Sequence, residues 1–215
     1  MRRREFMSLV GGAAAAASLR PPIARAQQPE RMRRIGVLQT AAADDPQFQT
    51  WIGAFLQALA LSGWTIGRNV RIDTRWATAN AADIRRHAAE LVALAPDVIL
   101  APGGSTVAPL LQATRTVPIV FPAVVDPVGA GFVDSLARPG GNVTGFMTTE
   151  YGISGKWLEL LKEIAPGVTR AAVLRDPAIT SGIGQFAVIQ SVAPSVGVEV
   201  SPINGRDASD RKSVV

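Results

Sequence analysis

Cysteine is absent from this 215-residue chain, and histidine occurs once, as His87. Without thiols there is no disulfide, thiolate metal site, cysteine nucleophile or lipid-modified N-terminal cysteine. A single imidazole also excludes a His-rich metal site and any two-histidine mechanism. Charged residues are sparse, 18% against 47% hydrophobic, which is the balance of a globular chain and not of a disordered one. The few charges that exist are unequal: 22 Lys plus Arg face 17 Asp plus Glu, for a net charge of +5 and a pI near 10.6. A basic balance raises nucleic acid as a partner, but only if the charge is clustered on the folded part.

It is not. Five of the arginines, Arg2, Arg3, Arg4, Arg20 and Arg25, fall in the first 26 residues with one acid, Glu5. That segment has a positive start, a Gly/Ala-rich apolar stretch from Met7 to Leu19, and small residues at Ala24 and Ala26. This is the three-part layout of a secretory signal peptide. The apolar stretch falls short of the roughly 20 residues a membrane-spanning helix needs. Arg3-Arg4-Glu5-Phe6-Met7 resembles the twin-arginine export motif. Cleavage near Ala26 removes five Arg and one Glu and leaves 17 basic against 16 acidic residues, a net charge of +1. The expectation is an exported, periplasmic protein that does not bind nucleic acid.

From residue 33 onward, short β-branched runs alternate with stretches of helical period. Strands are expected at Ile35-Gly36-Val37-Leu38, Val70 to Trp76, Val98 to Ala101, Pro118 to Phe121 and Asn142 to Phe146. Phe48, Trp51, Ile52, Phe55, Leu56 and Leu59 recur at three- and four-residue spacing and share one helix face. Asp83 to Leu94 reads as a further helix, Gly103-Gly104-Ser105-Thr106 opens another that reaches Thr114, and a short one is expected from Asp126 to about Leu136. Strand followed by helix over short connections predicts an α/β fold, a doubly wound parallel sheet covered on both faces, complete over 33–146. A second lobe begins at 151: a helix to Ile164, a strand over 171–174, a helix to Val192 and a strand over 198–201. Two strands cannot close a covered sheet, so residues 151–215 read as an incomplete second α/β lobe and the chain as truncated.

The sequence fits none of the common catalytic or nucleotide motifs. The turn after the first strand, Gln39-Thr40-Ala41-Ala42-Ala43-Asp44, has no glycine, so it is no dinucleotide fingerprint. Gly152-Ile153-Ser154-Gly155-Lys156-Trp157 has the wrong spacing for a phosphate loop. Gly103-Gly104-Ser105-Thr106-Val107 nearly matches a nucleophile elbow but ends in Val, and His87 precedes it on a helix. No catalytic residue, metal site or cofactor is expected.

Ligands of parallel sheets sit beyond the carboxyl ends of the strands. The turns there offer Thr40, Trp76, Gly104, Ser105, Asp126 and Thr148 as ligand-binding candidates. The Gly-Gly-Ser-Thr turn opens a helix, where free N–H groups and the dipole favour a ligand carboxylate. Asp126 could meet an ammonium and Trp76 an apolar portion, which together suggest an amino-acid-like zwitterion. Each also has a structural reading: Ser105 and Asp126 as helix caps, Trp76 as packing at the sheet edge.

The strings Ile35-Gly36-Val37-Leu38, Arg75-Trp76-Ala77, Pro102-Gly103-Gly104-Ser105, Pro118-Ile119-Val120-Phe121, Asp126-Pro127-Val128-Gly129 and above all Arg138-Pro139-Gly140-Gly141-Asn142-Val143-Thr144-Gly145 resemble the ABC-transporter substrate-binding protein family that includes tryptophan-binding-like members. The resemblance implies a periplasmic binding protein of the type 1 fold, non-enzymatic, that binds a small solute between two lobes and delivers it to a membrane ABC permease. It implies that the turns at Thr40, Ser105, Asp126 and Thr148 face the cleft. Family members continue well past this length, so impaired ligand binding is expected of the chain as written. A Rossmann-like enzyme and the effector-binding domain of a transcription regulator are the alternatives sharing the fold.

Overall fold

The computed structural model describes residues 31–77 and 80–205. The expected export signal, residues 78 and 79 and the last ten residues lie outside the described residues. Five strands form one sheet: β1 (Arg33–Gln39), β2 (Val70–Trp76), β3 (Val98–Leu100), β4 (Ile119–Val124) and β5 (Val143–Met147), in spatial order β2-β1-β3-β4-β5. Every neighbouring pair is parallel. The helices between them are α1 (Pro46–Leu61), α2 (Ala81–Ala93) and α3 (Gly104–Ala113). The chain steps one way from β1 to β2 and the other way from β1 to β3. That reversal opens a crevice at the carboxyl ends of β1 and β3.

Local chemistry sets the helix ends. The Asp45 carboxylate accepts hydrogen bonds from the N–H groups of Gln47 (3.0 Å) and Phe48 (3.2 Å), and Pro46 fills the first turn of α1. Asn80 caps α2 in the same way, accepting from Ala82 and Asp83. Between α2, α3 and the sheet lies the main core, in which Leu38, Leu91, Ile99, Val107, Leu110, Ile119 and Phe121 are all buried.

The other face of the sheet departs from expectation. A Cβ on Gly36 would meet Leu91 and Ile99, so Gly36 and Ile99 look toward α2. By the period of two, Gln39 and Leu100 look toward α1. That face is covered over β1 but open toward β5, where Pro122 is exposed and Phe146 is 73% exposed. The apolar stripe of α1 is consequently left partly in solvent: none of its residues is fully buried, and Trp51 is 51% exposed. Helical period tells which side of α1 is apolar but not how much of the sheet it reaches.

The short helix expected from Asp126 is also absent. Residues 127–131 form turns, and residues 132–136 continue as bends without regular structure. Asp126 (φ 43°) and Gly131 (φ 72°) have left-handed backbones that no helix accommodates. Phe132 and Val133 are nonetheless buried in the core, anchored by their N–H groups on the Pro127 carbonyl.

A second, two-stranded parallel sheet follows, built from β6 (Arg170–Arg175) and β7 (Glu199–Asn204), with helices α4 (Ile153–Ile164) and α5 (Thr180–Val192) and a 3-10 turn at Ala193–Val196. Leu158, Ile189, Ala193 and Val198 form its small core.

His87 lies on the flank of α2 in an ion-pair cluster. The Glu90 carboxylate accepts from Arg75 Nε (2.9 Å) and Arg86 Nη1 (2.9 Å) and pairs with His87 Nδ1 (3.2 Å). The hydrogen bond from Arg75, then that from His87, pull the Glu90 carboxyl down from its ordinary 4.5 to about 2. A depressed carboxylate stabilises the fold above its unfolded-state value and loses that contribution as pH falls through the folded value. Glu90→Gln is therefore expected to be less stable than the parent at pH 7. Urea melts should show this deficit shrinking between about pH 4.5 and pH 2. The cluster is solvated, so the deficit is small; one that grew on acidification would contradict the assignment.

Candidate functional site

All five parallel strands end at one edge, and the turns that follow them make up the candidate site. At the end of β3 the chain enters α3 through Gly103, with φ 90° and ψ 155°, a region essentially restricted to glycine. Gly103 is the N-cap residue of α3, and no side chain caps the helix. The capping role considered for Ser105 is therefore not what it does. The N–H groups of Thr106 and Val107 turn back to the Gly103 carbonyl, and the Thr106 hydroxyl donates to Gly103 (2.8 Å) and Pro102 (3.2 Å) carbonyls. The first N–H groups of α3 thus carry no side-chain cap. Gly104 and Ser105 line a cavity of about 160 Å³ with Arg85 from α2 and with Ile179 and Thr180 from the approach to α5. A Cβ on Gly104 would lie 3.3 Å from both Phe132 and the Thr180 hydroxyl, so glycine lets the two parts of the chain approach here.

Asp126 is committed to the backbone. Its Oδ1 accepts from Gly129 N–H (2.7 Å) and its Oδ2 from Tyr151 N–H (3.2 Å). The carboxylate ties the β4 turn to the segment leading into α4. Thr148 is exposed beside it: its N–H donates to the Val124 carbonyl, and the Asp126 N–H donates to the Thr149 carbonyl. Trp76 ends the edge strand β2, half-buried and in register with Gln39, and Thr40 follows Gln39, also half-buried.

The six sequence candidates therefore share one edge but not one spot. From β2 to β5 is four inter-strand steps, about 19 Å at the usual spacing. Trp76 and Thr148 stand at opposite ends, too far apart for one amino-acid-sized molecule to touch both. Gly104 and Ser105 stand at the middle strand.

Two groups escaped the sequence reading. Gln39 is 3% exposed and its Oε1 has no hydrogen-bond partner among the described residues. An unmet buried acceptor costs about 1–3 kcal/mol. Its signal in the sequence was a polar residue in phase with the buried Val37 at the end of a strand. The second is Tyr151. Burial raises its phenol above the ordinary value; the Thr180 hydroxyl opposes the shift in part, without reaching hydrogen-bond geometry. No group of three or more metal-ligating side chains occurs among the described residues, and none of the described helices is long and apolar enough to cross a membrane.

The model of the ABC transporter substrate binding protein family matches residues 34–215, nearly all of the chain outside the expected export signal. The chain belongs to this family. Among curated proteins it resembles a tyrosine-binding protein of Clostridioides difficile, 32% identical over 145 residues, which are 67% of this chain and 41% of the relative. Among solved structures it resembles an ABC domain in complex with L-Trp from Streptococcus pneumoniae (25% identity, TM-score 0.71) and a conserved domain protein from Vibrio cholerae (30% identity, TM-score 0.72). Each comparison covers 85% of this chain and 60% of the solved one. A leucine-binding protein from Thermotoga maritima, at 16% identity and TM-score 0.61, shares the fold. The chain thus spans two fifths to three fifths of the length of these substrate-binding relatives, and its five-stranded sheet is the parallel sheet of a type 1 periplasmic binding protein.

Proposed function

We propose that this chain is the exported solute-binding component of an ABC importer. In this reading it captures an amino-acid-like ligand at the carboxyl edge of the five-stranded sheet and delivers it to a membrane permease. Residues 1–26 serve as a twin-arginine signal cleaved near Ala26, residues 33–146 form the ligand-binding lobe, and residues 151–215 begin the second lobe. The protein works in the periplasm and does no bond-making chemistry.

The observation that carries this reading is the uncapped start of α3 at Gly104 and Ser105, opening into a cavity whose far side is Thr180. Unpaired N–H groups and the helix dipole suit a ligand carboxylate, and Arg85 adds positive charge. The tyrosine-binding relative and the L-Trp complex support an aromatic amino acid as the ligand. Binding proteins of this kind hold ligand by closing two lobes on it. The second sheet has two described strands, so the 215-residue chain by itself is proposed to bind weakly, in the millimolar range.

A thermal-shift panel of the twenty amino acids, common nucleotides and sugars, read on the 215-residue chain, tests the reading. Stabilisation by aromatic amino acids at millimolar concentration is expected. Stabilisation by nucleotides alone, or turnover of a nucleotide, would overturn it in favour of an enzyme.

A further inference from the structure

Asn204-Gly205 is the only Asn-Gly pair in the sequence. The other asparagines precede Val70, Ala81 and Val143, each with a Cβ. Their side chains are also engaged with the backbone: Asn69 accepts from the Thr65 N–H (2.7 Å), Asn80 caps α2, and Asn142 donates to the Val117 carbonyl (2.7 Å). Glycine after asparagine matters because no side chain screens its nitrogen and its backbone turns freely. Once deprotonated, that nitrogen can attack Cγ of the asparagine before it. The pair lies at the end of β7, where Asn204 is half-buried and in register with Arg175 of β6, and Gly205 is exposed. Two hydrogen bonds hold it. The Gly205 N–H donates to the Arg175 carbonyl (2.9 Å), and Arg175 Nε donates to Asn204 Oδ1 (3.3 Å). Arg175 is itself held, with its guanidinium 4.6 Å from the centre of the Phe186 ring.

Ring closure requires Asn204 to leave the extended backbone that strand pairing imposes. The restraint is local and weak. The second sheet has two described strands over a small core, and a two-stranded sheet is marginal by itself. The ends of such sheets open at low free energy. We propose that Asn204 is a site of spontaneous deamidation whose rate is set by opening of the β6–β7 end. In the open form the Gly205 nitrogen gives its proton to a base and bonds to Asn204 Cγ. The Cγ–Nδ2 bond breaks, and Nδ2 takes a proton and leaves as ammonia. Water then opens the cyclic imide at either carbonyl, leaving aspartate or isoaspartate at position 204. Nothing is oxidised or reduced. The aspartate product faces Arg175 as an ion pair. Isoaspartate carries its Cβ in the main chain and so breaks the pairing of position 204 with Arg175. The inference is independent of the ligand-binding reading.

The 215-residue chain and a synthetic peptide with the sequence of residues 200–208 are incubated together at mildly alkaline pH. Mass spectrometry follows the amide-to-acid change and locates it, and isoaspartyl methylation detects the rearranged product. Conversion is expected at residue 204 in both, slower in the folded chain by about tenfold or more because only the open form reacts. Arg175→Met keeps the carbonyl and removes the Nε donor. It should speed conversion about tenfold, the worth of one charge-assisted hydrogen bond. Hydrogen exchange at the Gly205 N–H should rise in parallel. Gly205→Ala should nearly abolish conversion and still fold, since a Cβ there comes no closer than 3.6 Å to Leu174. A folded chain that converts as fast as the peptide, or equal rates in the parent and Arg175→Met, would overturn the proposal. So would an Arg175→Met protein still unconverted long after the peptide is spent.

Discussion

Alanine at position 145 is expected to lower the unfolding free energy by about 3 kcal/mol or more, the upper range for overpacking, because here the obstacle is backbone. Gly145 lies in β5 in register with Phe121 of β4. A Cβ there would sit 2.0 Å from the Phe121 carbonyl oxygen and 2.6 Å from its ring. A side chain can rotate away, but the carbonyl belongs to a strand paired on both edges and can retreat only by breaking the sheet. An aromatic ring laid over a cross-strand glycine is a recurrent way of filling the space that glycine leaves. The β4–β5 pair also carries the Asp126 and Thr148 turns, so amide resonances there should move in any folded Gly145→Ala protein. Urea denaturation measures the loss. A change below about 1 kcal/mol would mean that the two strands are not in this register.

The second large effect is expected at Phe121 itself. Among the described residues it is the largest of the fully buried side chains, 2% exposed, and Phe121→Ala should cost about 3–5 kcal/mol through lost burial and the cavity left behind. The two sites touch, so their effects should not add. Phe121→Ala removes the ring that would meet a Cβ at 145 but leaves the carbonyl at 2.0 Å. The double variant should therefore be less stable than Phe121→Ala alone, although by less than Gly145→Ala costs in the parent. A double variant as stable as Phe121→Ala would show that the ring, and not the backbone, is the obstacle.

The parallel sheet was legible because its strands are short β-branched runs punctuated by Gly and Pro, and because the one with alternating polarity, β2, falls at the sheet edge. The helix start at Asp45 was legible from its capping side chain and Pro46, whereas the next helix begins at Ala81 behind the Asn80 cap, two residues before the expected Asp83. What failed depended on distant partners. The apolar stripe of α1 is real, but sequence period carries no information on what covers it, and Trp51 remains exposed. Asp126-Pro127 resembles a helix start, yet the aspartate adopts φ 43° and gives its second oxygen to Tyr151, 25 residues away. The candidate turns followed from topology alone, since parallel strands place all their carboxyl ends together. Which of those turns adjoin Thr180 did not, because the sequence does not reveal the approach of α3 to α5. Gln39 was passed over because a glutamine at the end of a strand reads as the start of a loop. Only its burial without a partner singles it out.

Amide-resolved NMR of the 215-residue chain titrated with L-tryptophan tests the binding role most directly. Saturable shifts are expected at the N–H groups of Gly104 and Ser105, with a millimolar midpoint, accompanied by shifts at Thr180 across the cavity. Saturable shifts confined to residues away from the carboxyl edge of the five-stranded sheet, or none with any of the twenty amino acids, would contradict it.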